Sequence, residues 1–416
     1  MRILKLTPRT EKWLLSRRAQ QGAEAYDVAS EIVADVRRRG DAALFAWTKR
    51  LDEVDLAKSG VWISQKEIRD AERQVSKEFA NTIQKAAANV RIVAEKQLPR
   101  PWSLETTSGV KIAQIVRPIE TIGCYIPGGR FSLVSTLVMT VVPAQVAGVP
   151  RTVAVCPKPN PELLTAARAI GIEKIARIGG AQAIAALAYG TRSVPQVDKI
   201  LGPGNKYVTA AKQIVSSECA IDLPAGPTEA IVFAEKGNPR WIAADLLAQA
   251  EHAEDAASFF VTTSRSLARE VQREIHWQLE ELPLSIARVS TETSGAILLA
   301  NSQDQACAFI NRFAPEHLSL PENATKFLQK IEAAGTIFLG PWGAQPLGDY
   351  ATGSNHVLPT GGWARRRGGL STADFVKCIS VQTITRNGFS RLADTVETLA
   401  EAEGLLAHRN AVRVRR

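Results

Sequence analysis

The amino-acid sequence predicts an α/β protein in which two parallel-sheet units follow one another between helical N- and C-terminal segments. From about Lys111 onward, short β-branched runs alternate with helical stretches of about 10–15 residues, which is typical of βαβ units. The alternation stops after Phe233 and resumes at Phe259, so it divides the sheet-forming sequence in two. Helical patterns predominate before Pro99 and after Gly361.

The N-terminal segment, residues 1–97, is predicted to be helical. Apolar and polar residues alternate at helical spacing over 23–39, and Gly40 ends that pattern. Ser64 and Glu67 have the spacing of a capping box, so we expect a helix to begin there and to continue to about residue 97. Pro99 then ends the helix.

The first alternation contains four predicted strands and four predicted helices. The strands are predicted over 119–126, 152–156, 174–178 and 230–233. The helices are predicted over 133–147, 161–170, 181–189 and 206–217. We expect these strands to form a parallel sheet that is covered by the helices.

The second alternation begins with a helix that Asn238 caps, with Pro239 at its first position, and that runs to about His252. Strands are predicted over 259–263, 296–299 and 336–339, and helices over 266–282 and 303–313. After Gly361 the chain is predicted to be helical again. Residues 389–412 carry an apolar stripe and end in basic residues, as a helix C-terminus favours.

Composition excludes several classes of protein. Hydrophobic residues make up 45% and charged residues 22% of the chain, as in an ordinary soluble globular protein. No apolar run is long enough to span a bilayer, and no apolar signal core follows Met1, so we expect a cytoplasmic protein without a membrane anchor. The five cysteines are scattered and form no CxxC pair, which favours free thiols over disulfides or a cysteine-ligated zinc.

The net charge of +9 is modest for this length, and only one dense basic run occurs, at 365–367. Nucleic-acid binding would need a long basic face interleaved with aromatic residues, so we expect no nucleic-acid partner. The basic run is interpreted as a solvated loop or, alternatively, as a loop that meets an anionic cofactor or a partner subunit.

Three glycine-containing loops each follow a predicted strand and precede a helix, at 125–129, 178–183 and 201–207. The backbone amides of such loops, with the following helix N-terminus, can hold a phosphate. None of the loops matches GxGxxG, and tight turns need glycine in any case. The pattern therefore leaves nucleotide binding and simple turns both open.

Four of the five histidines lie in polar clusters, and only His276, in a charged helical stretch, does not. Histidine is the commonest transition-metal ligand and titrates near neutrality. Gln249 and His252 share one face of a predicted helix, as paired metal ligands do, although a helix cap is the favoured interpretation of this pair alone. Glu316 beside His317 suits an acid/base couple, with a surface loop pair as the alternative.

The two remaining clusters lie further along the chain. Asp349 and His356 belong to a segment rich in Gly, Asp, Ser and Asn, a composition typical of functional loops. Glu403 and His408 lie on the last predicted helix and share a face only if that helix distorts at Gly404. Spacing alone does not bring the distant segments together, but a zinc set could consist of His252, His408, Asp349 and Gln249.

Eight longer motifs carry a resemblance to a known family. They are Tyr-Ile-Pro-Gly-Gly (125–129), Gly-Gly-Ala-Gln-Ala-Ile-Ala-Ala (179–186), Gly-Pro-Gly-Asn-Lys-Tyr-Val (202–208), Leu-Pro-Ala-Gly-Pro-Thr-Glu (223–229), Asp-Leu-Leu-Ala-Gln-Ala-Glu-His (245–252), Ala-Pro-Glu-His-Leu (314–318), Gly-Asp-Tyr-Ala-Thr-Gly-Ser-Asn-His-Val-Leu-Pro-Thr (348–360) and Ala-His-Arg-Asn-Ala-Val (407–412). In sequence and order they resemble the histidinol dehydrogenase family, from about residue 119 to the C-terminus.

The resemblance implies a homodimeric enzyme that uses zinc, one per subunit, and NAD. It would oxidise L-histidinol to L-histidine through L-histidinal in two hydride transfers, the last step of histidine biosynthesis. It also implies two Rossmann-like units and terminal helices that are exchanged between subunits. An N-terminal helical segment would cover 1–110, the first Rossmann-like, NAD-binding unit 111–236 and the second Rossmann-like unit 237–360. A C-terminal helical segment, 361–416, would contribute to the partner's active site.

The resemblance also implies roles for residues within the motifs. Zinc would be held by Gln249, His252, Asp349 and His408. The acid/base pair would be Glu316 and His317. NAD would contact Tyr125, Gln182 and Asn205. The pocket for L-histidinol would be lined by the four zinc ligands, His317, Ser135, Thr228, His356 and Glu403. In the exchanged arrangement, His408 and Glu403 would come from the partner subunit.

Some residues depart from the family pattern. Thr228 stands where the family usually has Ser, and it keeps the hydroxyl; Arg130, Phe131 and the loop at 365–369 are also unusual. A related zinc- and NAD-dependent dehydrogenase of another small polar alcohol is therefore the alternative function, and a non-catalytic nucleotide-binding protein is a further one. The carboxylate of Glu403 argues against an anionic sulfonate substrate, because like charges repel.

Overall fold

The computed structural model describes residues 1–19, 23–128, 132–223, 226–283, 285–321 and 325–416. The departures Arg130 and Phe131 lie outside the described residues, as do Gly129 and residues 224–225 of two motifs. Within the described part the strands are β1 Arg2–Lys5, β2 Trp102–Thr107, β3 Val110–Pro118, β4 Thr121–Tyr125, β5 Arg151–Val155, β6 Ile175–Ala176, β7 Lys199–Leu201, β8 Ala220–Ile221, β9 Glu229–Phe233, β10 Ala257–Thr262, β11 Ala296–Leu299, β12 His317–Leu320, β13 Thr336–Leu339 and β14 Val376–Ile384.

The α-helices of the described residues connect and cover these strands. They are α1 Pro8–Ala19, α2 Ala23–Arg39, α3 Asp41–Leu51, α4 Leu56–Ser59, α5 Gln65–Glu72, α6 Lys77–Gln97, α7 Val134–Ala147, α8 Pro161–Ala169, α9 Gly180–Tyr189, α10 Lys206–Val215, α11 Pro239–Ala250, α12 Arg265–Glu281, α13 Ser285–Thr293, α14 Gln303–Phe313, α15 Thr325–Leu328, α16 Gln345–Tyr350, α17 Arg386–Ala402 and α18 Leu406–Arg413.

The first sheet is parallel and has the order β6-β5-β4-β7-β8 among the described strands. Successive side chains of a strand point to opposite faces, so this sheet contributes to two apolar layers. Ile122 and Cys124 of β4 pack with α6, α7 and α8, whereas Val153 and Val155 of β5 pack with α2, α9 and α10. Burial on both faces explains why these strands are almost continuously apolar.

The second sheet is also parallel and has the order β1-β11-β10-β9-β12-β13. Helices α11 and α12 cover one face, and the other face packs on α14. The prediction that 230–233 belongs with the first set of strands is wrong, because β9 pairs with β10 and β12 instead. The prediction of helix from the first residue is also wrong, since β1 pairs with β11.

A third, antiparallel sheet has the order β14-β3-β2 in the described chain. It was not predicted: the segment after Gly361 contains two 3-10 turns and the long strand β14 before the helices α17 and α18 begin. Most residues of β2 and β14 are exposed, so these strands lack the clean apolar alternation that reveals a half-buried sheet.

Two local helix predictions are confirmed and one is wrong. The Ser64–Glu67 capping box is present, and Asn238 caps α11 with Pro239 in its first turn. The helix expected over 64–97 is two helices, α5 and α6, because Ser76 caps a new helix after the first has ended. The α/β class is confirmed. No helix of the described residues is long and apolar enough to cross a membrane.

Candidate active site

A cavity of about 860 Å³ lies where the carboxyl edge of the first sheet faces the amino edge of the second. The loop after β7 contributes Gly202 and Asn205 to its lining, and the residues before β9 and β12 contribute Thr228 and Glu316. Ser135 lies at the start of α7 on the same wall. The predicted site residues that line the cavity are Ser135, Asn205, Thr228, His252, Glu316, His317, Asp349 and His356.

At one position of the predicted loops, steric crowding requires glycine. Gly202 has a φ of 112°, and a Cβ at this position would lie 2.2 Å from the carbonyl oxygen of Tyr125. Any other residue would push β7 away from the end of β4. The loop therefore needs glycine to bring these two strand ends together beside the cavity.

Glu316 is held at the amino end of β12. It is 7% exposed, and its Oε2 accepts hydrogen bonds from the Thr228 hydroxyl and, at 2.9 Å, from the Glu229 amide. The neighbouring strand β9 begins at Glu229, so sheet pairing between β9 and β12 fixes the distance between donor and acceptor. A carboxylate with two donors on one oxygen keeps a defined orientation.

His317 is buried between two carboxylates. Its Nδ1 lies 3.7 Å from Oε2 of Glu316 and its Nε2 lies 3.7 Å from Oδ1 of Asp349. Neither ring nitrogen makes a hydrogen bond within the described residues. Burial by itself would lower the pKa of His317, but the charges of Glu316 and Asp349 outweigh burial and raise that pKa.

Asp349 and His356 meet at the end of α16. The His356 Nδ1 lies 3.0 Å from the Asp349 carbonyl oxygen, and its Nε2 lies 3.2 Å from the Thr136 hydroxyl. Burial lowers the pKa of His356, although Asp349 opposes this. Burial would raise the pKa of Asp349, but His317 outweighs it and the pKa is lowered. Asp349 is therefore a carboxylate and His356 is a neutral imidazole near pH 7.

Gln249 and His252 occupy different positions relative to the cavity. His252, just beyond the end of α11, is exposed and lines it. Gln249 is fully buried: its amide nitrogen donates to the Thr228 hydroxyl, and its oxygen accepts from Gln345. Thr228 thus joins Gln249 to Glu316, and its hydroxyl both donates and accepts in this network.

The donor types around the cavity fit zinc, which prefers imidazole nitrogen and carboxylate oxygen. His252 and Asp349 are donors of these types, and both line the cavity. Among the residues that the structure describes, however, no group of three or more His, Cys, Asp or Glu side chains could hold a metal ion.

Two of the predicted site residues outside the cavity lining lie on the C-terminal segment. His408 and Glu403 are exposed on the C-terminal segment, and Gly404 between the helices has a φ of 72°. In the described chain no residue of α18 is buried. Neither residue lines the cavity to which Asp349 and His252 contribute.

Of the three residues predicted to contact NAD, one lines the cavity and two are buried outside its lining. Asn205 lines the cavity and caps α10 through bonds to the amides of Tyr207 and Val208 at 3.0 and 3.1 Å. Tyr125 and Gln182 are buried at the carboxyl edge of the first sheet. The Tyr125 hydroxyl accepts from the Gly180 amide at 3.1 Å, and the Gln182 amide donates to Asp52 at 2.9 Å.

The basic loop at 365–367 contains two exposed arginines and one that is partly buried. Arg367 makes two bonds of 2.9 Å to the carboxylate of Asp374, and Arg365 donates to the Arg312 carbonyl. Arg366 lies 4.6 Å from the centroid of the Trp363 ring, which lines the cavity. The partly buried Arg367 is therefore anchored to the fold, whereas Arg365 and Arg366 are exposed, as expected for a solvated loop.

Sequence reasoning missed residues that support the site. Thr136 contacts His356 and Gln345 contacts Gln249, yet neither lies in a quoted motif or beside a histidine in the sequence. Glu229 is the last residue of a quoted motif, and its position there was the only available signal. Such supporting contacts depend on the pairing of distant segments.

Comparisons with known proteins agree on one family. Residues 15–416 match the family model described as histidinol dehydrogenase. A histidinol dehydrogenase of Methanosarcina barkeri is 44% identical over 97% of this chain and 94% of its own length, and one of Bacillus thuringiensis is 46% identical over 92% and 91%. The crystal structure of histidinol dehydrogenase from Elizabethkingia anophelis has a TM-score of 0.94 at 40% identity and covers 100% of this chain and 98% of its own. The family resemblance of the motifs is confirmed.

Proposed function

The chain belongs to the histidinol dehydrogenase family, oxidoreductases of the final step of histidine biosynthesis, and we propose that it oxidises L-histidinol to L-histidine with zinc and NAD. One observation carries the proposal: Glu316, His317, His252 and Asp349 line a single cavity. Two hydrides leave the substrate in succession. The alcohol is oxidised to L-histidinal, water adds to the aldehyde, and the hydrated aldehyde is oxidised to the acid.

Zinc would be held by Gln249, His252 and Asp349 together with His408 of the partner subunit. The fit rests on two donors of suitable type on the cavity wall and on Gln249 close behind them. Zinc acts as a Lewis acid that favours the ionised form of a bound hydroxyl. The Gln249 oxygen must leave Gln345 to act as a ligand, so metal loading requires a small rearrangement of that pair.

His317 is proposed to take the hydroxyl proton as hydride leaves for NAD. Its two ring nitrogens have no protein hydrogen-bond partner among the described residues, so one is available to the substrate. Glu316 and Asp349, each 3.7 Å from one ring nitrogen, stabilise the imidazolium that results. The imidazole therefore has a proton-accepting position and the charges that favour the protonated product.

Glu316 is proposed to activate the water that adds to the aldehyde. Thr228 and the Glu229 amide both bind Oε2, which leaves Oε1 to take a proton from water. The hydrated aldehyde then gives its hydride to a second NAD, and the acid forms with loss of a proton. This step requires a fixed carboxylate in a water-accessible cavity, and Glu316 fits that description.

NAD and substrate contacts are proposed from the family motifs. NAD would contact Tyr125, Gln182 and Asn205. L-histidinol would contact Ser135, Thr228, His317 and His356 of one subunit, the zinc ligands, and Glu403 of the partner subunit. The neutral imidazole expected for His356 suits a hydrogen bond to the substrate without adding charge.

A homodimer with exchanged C-terminal helices is proposed as the active form. The exposed apolar side chains of α17, α18 and their junction support it: Leu399 is 59%, Leu406 68% and Val414, just beyond α18, 69% exposed. Large apolar side chains exposed on one terminal segment are consistent with a protein–protein interface. The division into units at 1–110, 111–236, 237–360 and 361–416 stays a prediction, as does a cytoplasmic location.

The test is NADH release from L-histidinol by the purified, zinc-loaded protein. We expect about two NADH per L-histidinol, no turnover after removal of zinc by a chelator, and recovery when zinc is restored. A panel of other small polar alcohols serves as the control. Turnover of another alcohol without turnover of L-histidinol would contradict the substrate assignment, and full activity after chelation would contradict the role of zinc.

A further inference from the structure

Arg18 is a buried cation beside the proposed acid/base group, on a helix to which the motifs assign no role. It lies at the end of α1, lines the cavity, and its side chain is 11% exposed. Its guanidinium forms an ion pair with Glu229, whose side chain is 3% exposed. The two residues are 211 positions apart in the sequence, so only the fold brings them together.

The same guanidinium binds the segment that leads into Glu316. Nη1 donates to the Phe313 carbonyl, Nη2 lies 3.5 Å from the Ala314 carbonyl, and the guanidinium carbon lies 4.3 Å from the centroid of the Phe313 ring. Phe313 ends α14, and Ala314 has a φ of 51°, a left-handed conformation that costs a non-glycine residue about 1 kcal/mol. Arg18 thus binds the carbonyls of the strained turn directly before Glu316.

Glu229 connects the other side of the pair to the same carboxylate. Its backbone amide donates to Oε2 of Glu316, and its neighbour Thr228 donates its hydroxyl to the same oxygen. Two carboxylates, of Glu229 and Glu316, are therefore buried close together with Arg18 as the ion-pair partner of one of them. Burial and Glu316 raise the pKa of Glu229 to about 7 even though Arg18 lowers it.

We propose that Arg18 is a positioning residue that acts through Glu229 and the 313–315 turn to hold Glu316 for the aldehyde half of the reaction. This inference rests on the proposed function, in which Glu316 activates water only after the first hydride has left. The planar guanidinium can bind a carboxylate and a carbonyl at once in a fixed geometry, which the single ammonium group of lysine does not impose. Loss of the Arg18 guanidinium would release both Glu229 and the 313–315 turn, which together set the position of Glu316.

The consequence is an imbalance between the two half-reactions. Replacement of Arg18 should slow the oxidation of L-histidinal by up to about a hundredfold, because a displacement of about 1 Å at a reacting group has effects of that size. Oxidation of L-histidinol to the aldehyde depends on His317 and should fall by less than about threefold. A purely structural role would slow both half-reactions together.

The experiment compares Arg18→Met with Arg17→Met. Arg17 is the matched control: its Nη1 also donates to a carbonyl, that of Thr293, at 2.6 Å, and its guanidinium lies over the Trp13 ring, but Arg17 makes no ion pair with Glu229. The first half-reaction is followed as the first NADH formed in a single turnover with L-histidinol. The second is followed as NADH formed when L-histidinal is supplied as substrate. Thermal unfolding is recorded for each variant.

The proposal expects Arg18→Met to lose L-histidinal oxidation selectively and Arg17→Met to behave as the wild type. If Arg18→Met does not fold, Arg18→Lys decides, because lysine keeps the charge but lacks the fixed, planar set of donors that holds Glu229 and the Phe313 carbonyl in one geometry. Arg18→Lys should show the same imbalance between the half-reactions, but a smaller one. An equal loss of both half-reactions, or no loss, in the folded variant overturns the proposal. Wild-type protein without activity on either substrate would instead contradict the proposed function.

Discussion

The two parts of the proposed site differ sharply in how completely one subunit builds them. The buried wall, consisting of Thr228, Gln249, Glu316 and His317, is tied together by hydrogen bonds and sheet pairing. The C-terminal arm, consisting of α17 and α18, carries Glu403 and His408 on exposed surface. The contrast fits the proposal that the acid/base half of the site forms with the fold, whereas the metal half is completed by assembly.

The largest effect is expected on the buried wall itself. His317→Ala removes the proposed proton acceptor and should lower the rate of NADH formation by about 10²–10⁴-fold. His276→Ala is the control, because His276 is an exposed residue of α12. Steady-state NADH rates and circular dichroism spectra check the prediction. A His317→Ala protein that keeps more than a tenth of wild-type activity would remove His317 from the proposed mechanism.

A disruption of the C-terminal arm should act through assembly. Leu406→Glu places a charge on a side chain that is 68% exposed in one subunit and that we propose to be buried in the dimer. Loss of leucine burial weakens association by about 2 kcal/mol or more, which is roughly thirtyfold in the dissociation constant. Light scattering should show a shift towards monomer, with a parallel loss of activity.

The control for this variant is Leu51→Glu, because Leu51 is 50% exposed at the end of α3 and belongs to neither part of the proposed site. It should leave both mass and activity unchanged. An active monomer of the Leu406→Glu protein would show that the arm completes the site within its own subunit.

The smallest effect concerns Asp52, whose carboxylate accepts a hydrogen bond from the proposed NAD residue Gln182. Burial raises the pKa of Asp52 to about 6, above its ordinary value of 3.8. The native state therefore loses stability as the pH rises from about 4 to 6, and this loss is complete above pH 6. Asp52→Asn should raise the free energy of unfolding by about 1–2 kcal/mol near pH 8 and by almost nothing near pH 3.5.

Urea denaturation at the two pH values measures this difference. Asp27→Asn, at an exposed position of α2, is the control and should show little change at either pH. A stabilisation by Asp52→Asn that is equally large at both pH values would show that ionisation of the carboxyl is not its cause.

The same contrast explains what could be predicted from the sequence. Strands such as β4 and β5 are buried on both faces and are recognised in the sequence as apolar runs. The start of α11 could be predicted from Asn238 and Pro239. The short strand β1 has no such signal and exists because it pairs with β11, almost 300 residues later. The antiparallel sheet was missed because β14 is mostly exposed within one subunit.

The site was predicted by motif and not by geometry. Spacing could not place Glu316 and Thr228 side by side, because they precede two strands that pair only in the folded sheet. The cavity lies at the carboxyl edge of the first sheet, where Asn205 lines it and where ligands of parallel sheets usually bind, but the second sheet contributes its amino edge. The ion pair of Arg18 could not be predicted from the sequence for the same reason, because its partner Glu229 is remote along the chain.

The central claim, that the arm completes the site of the other subunit, is tested most directly by mixing two inactive variants. His317→Ala and His408→Ala proteins are unfolded together, refolded and assayed for NADH formation from L-histidinol. If His408 acts across the dimer, each mixed dimer contains one intact site, so random pairing should restore about a quarter of wild-type activity. If His408 acted within its own subunit, every site would carry a defect, and the absence of any recovery in refolded dimers would contradict the account.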